Sequence, residues 1–250
     1  MRSSRLWNVA HRGASSERPE NTLSAFGLAI EQRADVIEAD VRASSDGELL
    51  VLHDATLDRT TSGEGPLAEI TADDARALDA GDGERIPTVA EVLQVARGRA
   101  RVNLDLKEIG VVEPAVRLVH QTGMVDSVTF ISFLPEAWDL VADLSPESPV
   151  VQLVDSATSL AGLAMGEGVA QSVAIGVGVP YGLVQPELVE RMRRHGLGVF
   201  AWTVDDDAEM RRLIDAGVKG IVTNRPAALA EVMRQLRAAE TAEADRRTQR

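Results

Sequence analysis

The sequence predicts a single (β/α)8 barrel of the α/β class, and three features of the chain carry that expectation. Eight apolar, strand-length runs alternate with helical patterns across nearly all of its 250 residues, the arithmetic of this barrel. Several helical patterns open near a proline and several close near a glycine, the latter as in R-R-H-G and D-A-G, the usual asymmetry of helix caps. No glycine-rich phosphate loop follows the first strand, which disfavours the doubly wound open sheet as the competing architecture. No linker interrupts the pattern, so one domain is expected over residues 1–237, with a charged polar tail at 238–250.

The strands are expected at residues 6–10 (L-W-N-V-A), 36–41 (V-I-E-A-D-V), 102–107 (V-N-L-D-L-K) and 128–132 (V-T-F-I-S). Four more follow at 150–154, 173–177, 199–204 and 220–224. A first helix is expected over 22–32 with Asn21 as its N-cap, and a second over 88–97 after a proline. Later helices are expected at 114–121, 135–143, 186–195, 206–216 and 226–237. The Gly- and Ala-rich stretch 156–170 has the weakest helical pattern. Beyond Ala238 acidic and basic residues alternate, which reads as a solvated helix end or disorder.

Composition sets limits on function. Hydrophobic residues make up 44% of the chain, enough for a sizeable core, but aromatics only 3%, so Ala, Val and Leu must do most of the packing. A net charge of -13 without any basic patch argues against nucleic-acid or anionic-membrane partners. The absence of cysteine excludes disulfides and thiolate metal sites. The first ten residues lack the apolar run of a secretory signal, and no window approaches the roughly 18 apolar residues of a spanning helix. A cytoplasmic protein without stable membrane anchoring is expected.

Polar residues at the C-terminal ends of barrel strands are the ones to read for function, because the βα loops build the site there. Residues 36–53 break the βα rhythm with two extended runs around Asp46-Gly47, a hairpin signal. A two-residue turn at Asp46-Gly47 would set Asp40 opposite His53, with Glu38 on the same face. A bulge would move this pairing by one. A solvated strand face could carry two such carboxylates, but a barrel strand has packed side chains on one face and helices on the other. Paired carboxylates there repel unless a cation sits between them, and all-oxygen ligation suits Mg²⁺ or Ca²⁺.

V-N-L-D-L-K repeats the pattern, with Asp105 and Lys107 on one face. Of the chain's 26 basic residues only Lys107 and Lys219 are lysine. An ammonium kept at the end of a core strand, in so Arg-biased a chain, suggests a need for a compact point charge. His120 and His195 lie in the last turns of their helices ahead of glycines, where a cation complements the helix dipole.

Taken in order, these motifs resemble the glycerophosphodiester phosphodiesterase family over about residues 7–235. The matching blocks are His11-Arg12-Gly13, Pro19-Glu20-Asn21-Thr22, Ile37-Glu38-Ala39-Asp40-Val41 and Asp46-Gly47. They continue with His53-Asp54, Arg59-Thr60-Thr61, Ile86-Pro87-Thr88, Leu104-Asp105-Leu106-Lys107, Ser132-Phe133, Trp202-Thr203-Val204 and Gly220-Ile221-Val222-Thr223. The resemblance implies a metal-dependent phosphodiesterase that releases glycerol 3-phosphate and an alcohol from glycerophosphodiesters. It implies His11 and His53 as the general acid/base pair, Glu38, Asp40 and Asp105 as metal ligands, and Arg12 and Lys107 as phosphate contacts. Trp202 matches a residue that lines the glycerol pocket. Two positions depart from the pattern. Asp105 stands where the family commonly has Glu, leaving room for a bridging water, and Lys219 where it often has Asp. The segment 55–84 is too short for a large inserted domain.

On this view the first strand ends in His-Arg-Gly because a phosphodiester must be gripped and its oxygen protonated. His exchanges protons near neutrality, Arg offers paired donors, and Gly13 turns the backbone away. Glu20 is a candidate to orient Arg12. Three other readings compete: a lysophospholipase D-type activity, a non-catalytic phosphate-binding barrel, and a sugar-phosphate isomerase or aldolase on fold grounds alone. Head group, choice of metal, attacking oxygen and oligomeric state are left open by the sequence.

Overall fold

The computed structural model describes residues 6–164 and 173–248. Among these residues nine strands form: β1 (Trp7–His11), β2 (Val36–Ala43), β3 (Leu49–Val51), β4 (Arg101–Leu106), β5 (Val128–Ser132), β6 (Val150–Leu153), β7 (Ala174–Pro180), β8 (Gly198–Trp202) and β9 (Gly220–Thr223). Eight of them run parallel in the order β1-β2-β4-β5-β6-β7-β8-β9, and β9 pairs back onto β1 to close the barrel. β3 is antiparallel to β2 and lies outside the ring, as the second arm of the expected hairpin.

The helices are α1 (Leu23–Glu31), α2 (Ala72–Arg76), α3 (Val89–Ala96), α4 (Val112–Gln121), α5 (Pro135–Leu144), α6 (Ala157–Ala164), α7 (Pro186–Arg194), α8 (Asp207–Ala216) and α9 (Pro226–Thr248). Local chemistry fixes their ends. Thr88 and Glu91 form a reciprocal capping box on α3. Asp206 accepts from two backbone amides at the start of α8, and Gly217 ends that helix in the left-handed region at φ 86°. α9 continues through the expected tail to Thr248, the helical one of its two readings. Part of the 156–170 stretch lies outside the described residues.

Strand alternation builds two layers. Outward-facing Ile37, Ala39, Val41, Leu104 and Phe130 pack under the helices with Val92 and Val116. Facing inward, Ile131, Val151, Leu153 and Phe200 form a small apolar plug with Trp7 against it. The Phe200 ring needs glycine neighbours: a Cβ at Gly176 or Gly220 would lie 2.7 or 2.6 Å from its edge. The opposite side of the barrel interior is polar, with Glu38, Asp40, Asn103 and Asp105 all buried.

Two expectations need correction. The hairpin pairs Val41 with Val51 and Ala43 with Leu49, so Asp40 stands opposite Leu52, whose amide donates to its carbonyl at 3.0 Å. His53 does not face Asp40. The reason is the turn: Ser44 N bonds Glu48 O, and Gly47 takes φ 83°, giving a three-residue connection rather than a two-residue one. His53 lies beyond the end of β3, so this slip does not fix which way its side chain points. The second correction concerns α1. Its N-cap is Thr22, whose Oγ1 accepts from Ala25 N. Asn21 takes a left-handed φ of 60° and serves the site described below.

Residues 55–84 add a satellite core in which Leu50, Leu57, Leu67, Ala75 and Ile86 are buried together. It brings Arg59 against Glu20 and Gly81 against Pro19 in the loop before α1. Among the described residues, no helix is long and apolar enough to cross a membrane.

Candidate active site

The C-terminal ends of β1, β2, β4 and β8 meet at a cavity of about 210 Å³ lined by His11, Arg12, Glu38, Asp40, Asp105 and Lys107 on its polar side. His53 also lines it, and Ile131, Phe133, Leu153 and Trp202 close the apolar side. All eight residues singled out from the sequence come together here. Wider grooves of about 610 and 500 Å³ lie elsewhere, one between α1 and α9 and one at the N-terminal ends of the strands. Neither is lined by a histidine or by the converging carboxylate trio, so size does not locate the chemistry.

Parallel register places the carboxylates. Asp40 and Asp105 are direct neighbours across β2 and β4, and Glu38 sits two residues before Asp40 on the same face. Each of the three offers an oxygen within 4.8 Å of the other two, and all are buried. Burial, reinforced by Asp40, pushes Glu38 up to about 8. Burial likewise pushes Asp105 up to about 7, against the pull of Lys107. Asp40 alone is lowered, because Lys107 and Arg12 outweigh its burial. Asp105 Oδ1 is buried without a hydrogen-bond partner among the described residues. Three converging hard oxygens whose charges are poorly tolerated without a cation fit a divalent ion.

The cations are threaded between the acids. Lys107 Nζ lies 2.8 Å from Asp40 Oδ1 and 2.5 Å from Asp105 Oδ2. Arg12, held at a left-handed φ of 56°, donates its backbone amide to Glu38 Oε2 at 2.9 Å and sets Nε 3.2 Å from Asp40 Oδ2. Its other end reaches Glu20 Oε1 at 2.9 Å, the orientation expected of that pair.

Each imidazole is tied down through Nδ1. His11 Nδ1 lies 2.8 Å from Asn224 Oδ1. Asn224 Nδ2 donates to Asp205 Oδ2 at 2.6 Å, so the amide must show its oxygen to His11, and Nδ1 must carry the proton. His53 Nδ1 lies 2.6 Å from Asp54 Oδ1. Both rings therefore keep Nε2 for the cavity. Burial, with the Arg12 cation beside it, lowers the pKa of His11. Burial also lowers His53, with Asp54 pulling the other way.

Comparison with known proteins settles the family. The model of the glycerophosphoryl diester phosphodiesterase family matches residues 11–228. The chain belongs to that family. Among its enzymes, the glycerophosphodiester phosphodiesterase of Caldanaerobacter subterraneus subsp. tengcongensis is 35% identical, covering 91% of this chain and 97% of its own. That of Bacillus subtilis is 34% identical over 89% and 84%. Among solved structures, the Agrobacterium tumefaciens enzyme superposes with a TM-score of 0.80 at 33% identity, over 91% of this chain and 100% of its own. An Oleispira antarctica phosphodiesterase solved with the product sn-glycerol-3-phosphate gives a TM-score of 0.81 at 27% identity, over 90% and 95%.

Within this family fold, three residues have supporting roles that the sequence did not show. Asn21 Nδ2 donates to Asp40 Oδ2 at 2.7 Å; the sequence offered it only as a helix cap within the Pro19-Glu20-Asn21-Thr22 block. Asn224 directly follows β9, where any barrel loop could place a polar residue. Asp54 was visible only as the neighbour of His53. His120 and His195 stay remote as expected: His120 Nε2 meets Ser145 Oγ at 2.9 Å, and His195 caps α7. Lys219 lies at the far end of the barrel, its Nζ 5.3 Å from the Trp7 ring centroid.

Proposed function

We propose that this phosphodiesterase hydrolyses glycerophosphodiesters to glycerol 3-phosphate and an alcohol, with a divalent cation and the His11/His53 pair. The observation that carries the reading is the meeting of three buried carboxylates with two Nδ1-anchored imidazoles in one cavity. Glu38, Asp40 and Asp105 would hold Mg²⁺ or Ca²⁺, which when bound neutralises charge on the phosphoryl oxygens. Arg12 and Lys107 grip the phosphate, one as a fork and the other as a point charge. Trp202, edge-on to Phe133 at 5.7 Å between ring centroids, forms the apolar wall against which the glycerol carbons rest.

What stands behind each imidazole supports a distinct role for it. His11 is backed by a neutral amide, which favours the uncharged ring, so it takes a proton from the attacking oxygen of water or of the glycerol 2-hydroxyl. His53 is backed by a carboxylate, which favours the charged ring, so it gives a proton to the departing alkoxide. Release of the alcohol head group from a panel of glycerophosphodiesters and a lysophospholipid, with glycerol 3-phosphate as the co-product of the former and its acylated form of the latter, tests this reading in EDTA and after Mg²⁺ or Ca²⁺ is restored. Metal-restored turnover of the water-soluble diesters is expected. Unchanged turnover under exhaustive chelation, or turnover of the lysophospholipid alone, overturns it.

A further inference from the structure

We infer that Arg59 is a positioning residue that fixes His53 and Arg12 relative to one another by clamping the carboxylate behind each. The inference rests on the roles given to His53 and Arg12 above, and it concerns a side chain that does not line the cavity. Arg59 Nε donates to Asp54 Oδ2 at 2.6 Å, and one terminal nitrogen lies 3.2 Å from Asp54 Oδ1. The two terminal nitrogens donate to Glu20 Oε2 and Oε1 at 3.0 and 2.8 Å. Asp54 in turn holds His53 Nδ1, and Glu20 holds Arg12.

One guanidinium thus closes a chain that runs from His53 through Asp54, Arg59 and Glu20 to Arg12. It joins two irregular segments, the loop before α1 and the excursion after β3. The Arg59 side chain is 47% exposed, and exposed ion pairs contribute little to folding. A planar fork making two-point contact with each of two carboxylates instead fixes direction. Both clamped acids point at groups whose placement decides a reaction.

The clamp also sets the charge that His53 feels. Asp54 and Arg59 face the ring from its own segment, Asp40 from β2, Lys107 from the end of β4 and Arg12 from the end of β1. Arg59 offsets Asp54. Removing Arg59 leaves that carboxylate uncompensated and should raise the titration midpoint of His53, whereas removing the Asp54 charge should lower it. A role confined to holding the fold predicts no such opposed pair of shifts.

The test uses the whole chain, with His53 titrated by NMR and glycerophosphocholine as substrate, in Arg59→Gln, Arg59→Lys and Asp54→Asn. Thermal melts check folding in each. Arg59→Gln is expected to raise the His53 midpoint and lower kcat at least about tenfold, a fraction of what an acid/base group itself supplies. Asp54→Asn should lower the midpoint. Arg59→Lys should restore little of kcat, since one ammonium cannot bridge both acids. An unmoved midpoint in Arg59→Gln, or wild-type kcat in Arg59→Lys, overturns the clamp. Failure of the catalytic reading shows separately, as activity retained in His53→Ala, because the midpoints are read on the ring and not through turnover.

Discussion

Asn224 presents its side-chain oxygen to His11 Nδ1 at 2.8 Å, and it can do so in only one orientation because Asp205 holds the amide nitrogen. The ring is thereby given a fixed tautomer before any substrate arrives. Asn224→Leu should lower kcat about tenfold or more while KM stays within a few-fold, since the ring itself remains. Asn224→Asp should place a carboxylate beside His11, raise its pKa, and move the acid limb of the pH–rate profile to higher pH. Steady-state kinetics between pH 5 and 8 check both; an unshifted limb in Asn224→Asp would show that Asn224 only packs.

His11→Ala and His53→Ala should each lower kcat by about 10²–10⁴-fold with nearly unchanged folding. Burial holds the His11 pKa below its ordinary 6.5, so the limb that reports its loss as a base lies on the acid side of that value. Linkage gives the same group a second signature. The unfolded chain binds more protons than the folded one between the lowered pKa and 6.5, so stability falls as pH drops through that window. His11→Ala should remove that part of the acid sensitivity. Activity within a few-fold of wild type would take either histidine out of the mechanism.

The barrel was legible because periodicity reports burial directly: an eight-fold alternation of apolar runs leaves few architectures that bury them all. The carboxylate trio was legible for the same reason, since Glu38, Asp40 and Asp105 fall on strand faces where an acid is costly. What the sequence hid was geometry set by single backbone angles. One left-handed residue at Gly47 moved the hairpin register by one, and another at Asn21 turned an apparent helix cap into a partner of Asp40. Supporting residues such as Asn224 and Arg59 act through contacts 213 and 39 positions away in the chain, and no local pattern records those.

Metal occupancy should abolish a fall in stability with rising pH. Glu38 and Asp105 are raised in the fold to about 8 and about 7 from 4.5 and 3.8. The folded protein therefore binds more protons than the unfolded chain across that interval, and without metal its stability should fall as pH rises from about 5 to 8. Asp40 is shifted the other way, but its contribution is lost only in acid, outside this window. A divalent ion displaces those protons and should abolish the decline. Melting curves in EDTA and in Mg²⁺ or Ca²⁺ test the sign, and Glu38→Gln in EDTA should flatten the fall. In a metal-soaked crystal the ion should lie among Glu38, Asp40 and Asp105 at roughly 2.0–2.6 Å from oxygen ligands alone. An ion found elsewhere would refute the assignment.

Lys107 should not be replaceable by arginine. Its ammonium sits between Asp40 and Asp105, with the side chain only 12% exposed, so there is no room to re-route a longer group. A phosphate drawn to the same carboxylate-bound ion would turn its remaining charge toward this one compact cation. A guanidinium carries the same charge, but it is planar, longer by one bond and spreads its donors over a fork. To fit, it would displace a carboxylate from the ion or the phosphate from its seat. Arg fills 24 of the 26 basic positions of this chain, so a requirement for charge alone would leave Lys107→Arg close to silent. A loss of at least about tenfold in kcat/KM is expected instead, or roughly 1.4 kcal/mol of transition-state stabilisation. Lys107→Met should lose more, because it deletes the charge and leaves Asp40 without one of the two cations that keep it ionised. Wild-type kinetics in the arginine variant would show that position 107 needs only a positive charge, and the point-charge account of phosphate binding would be wrong.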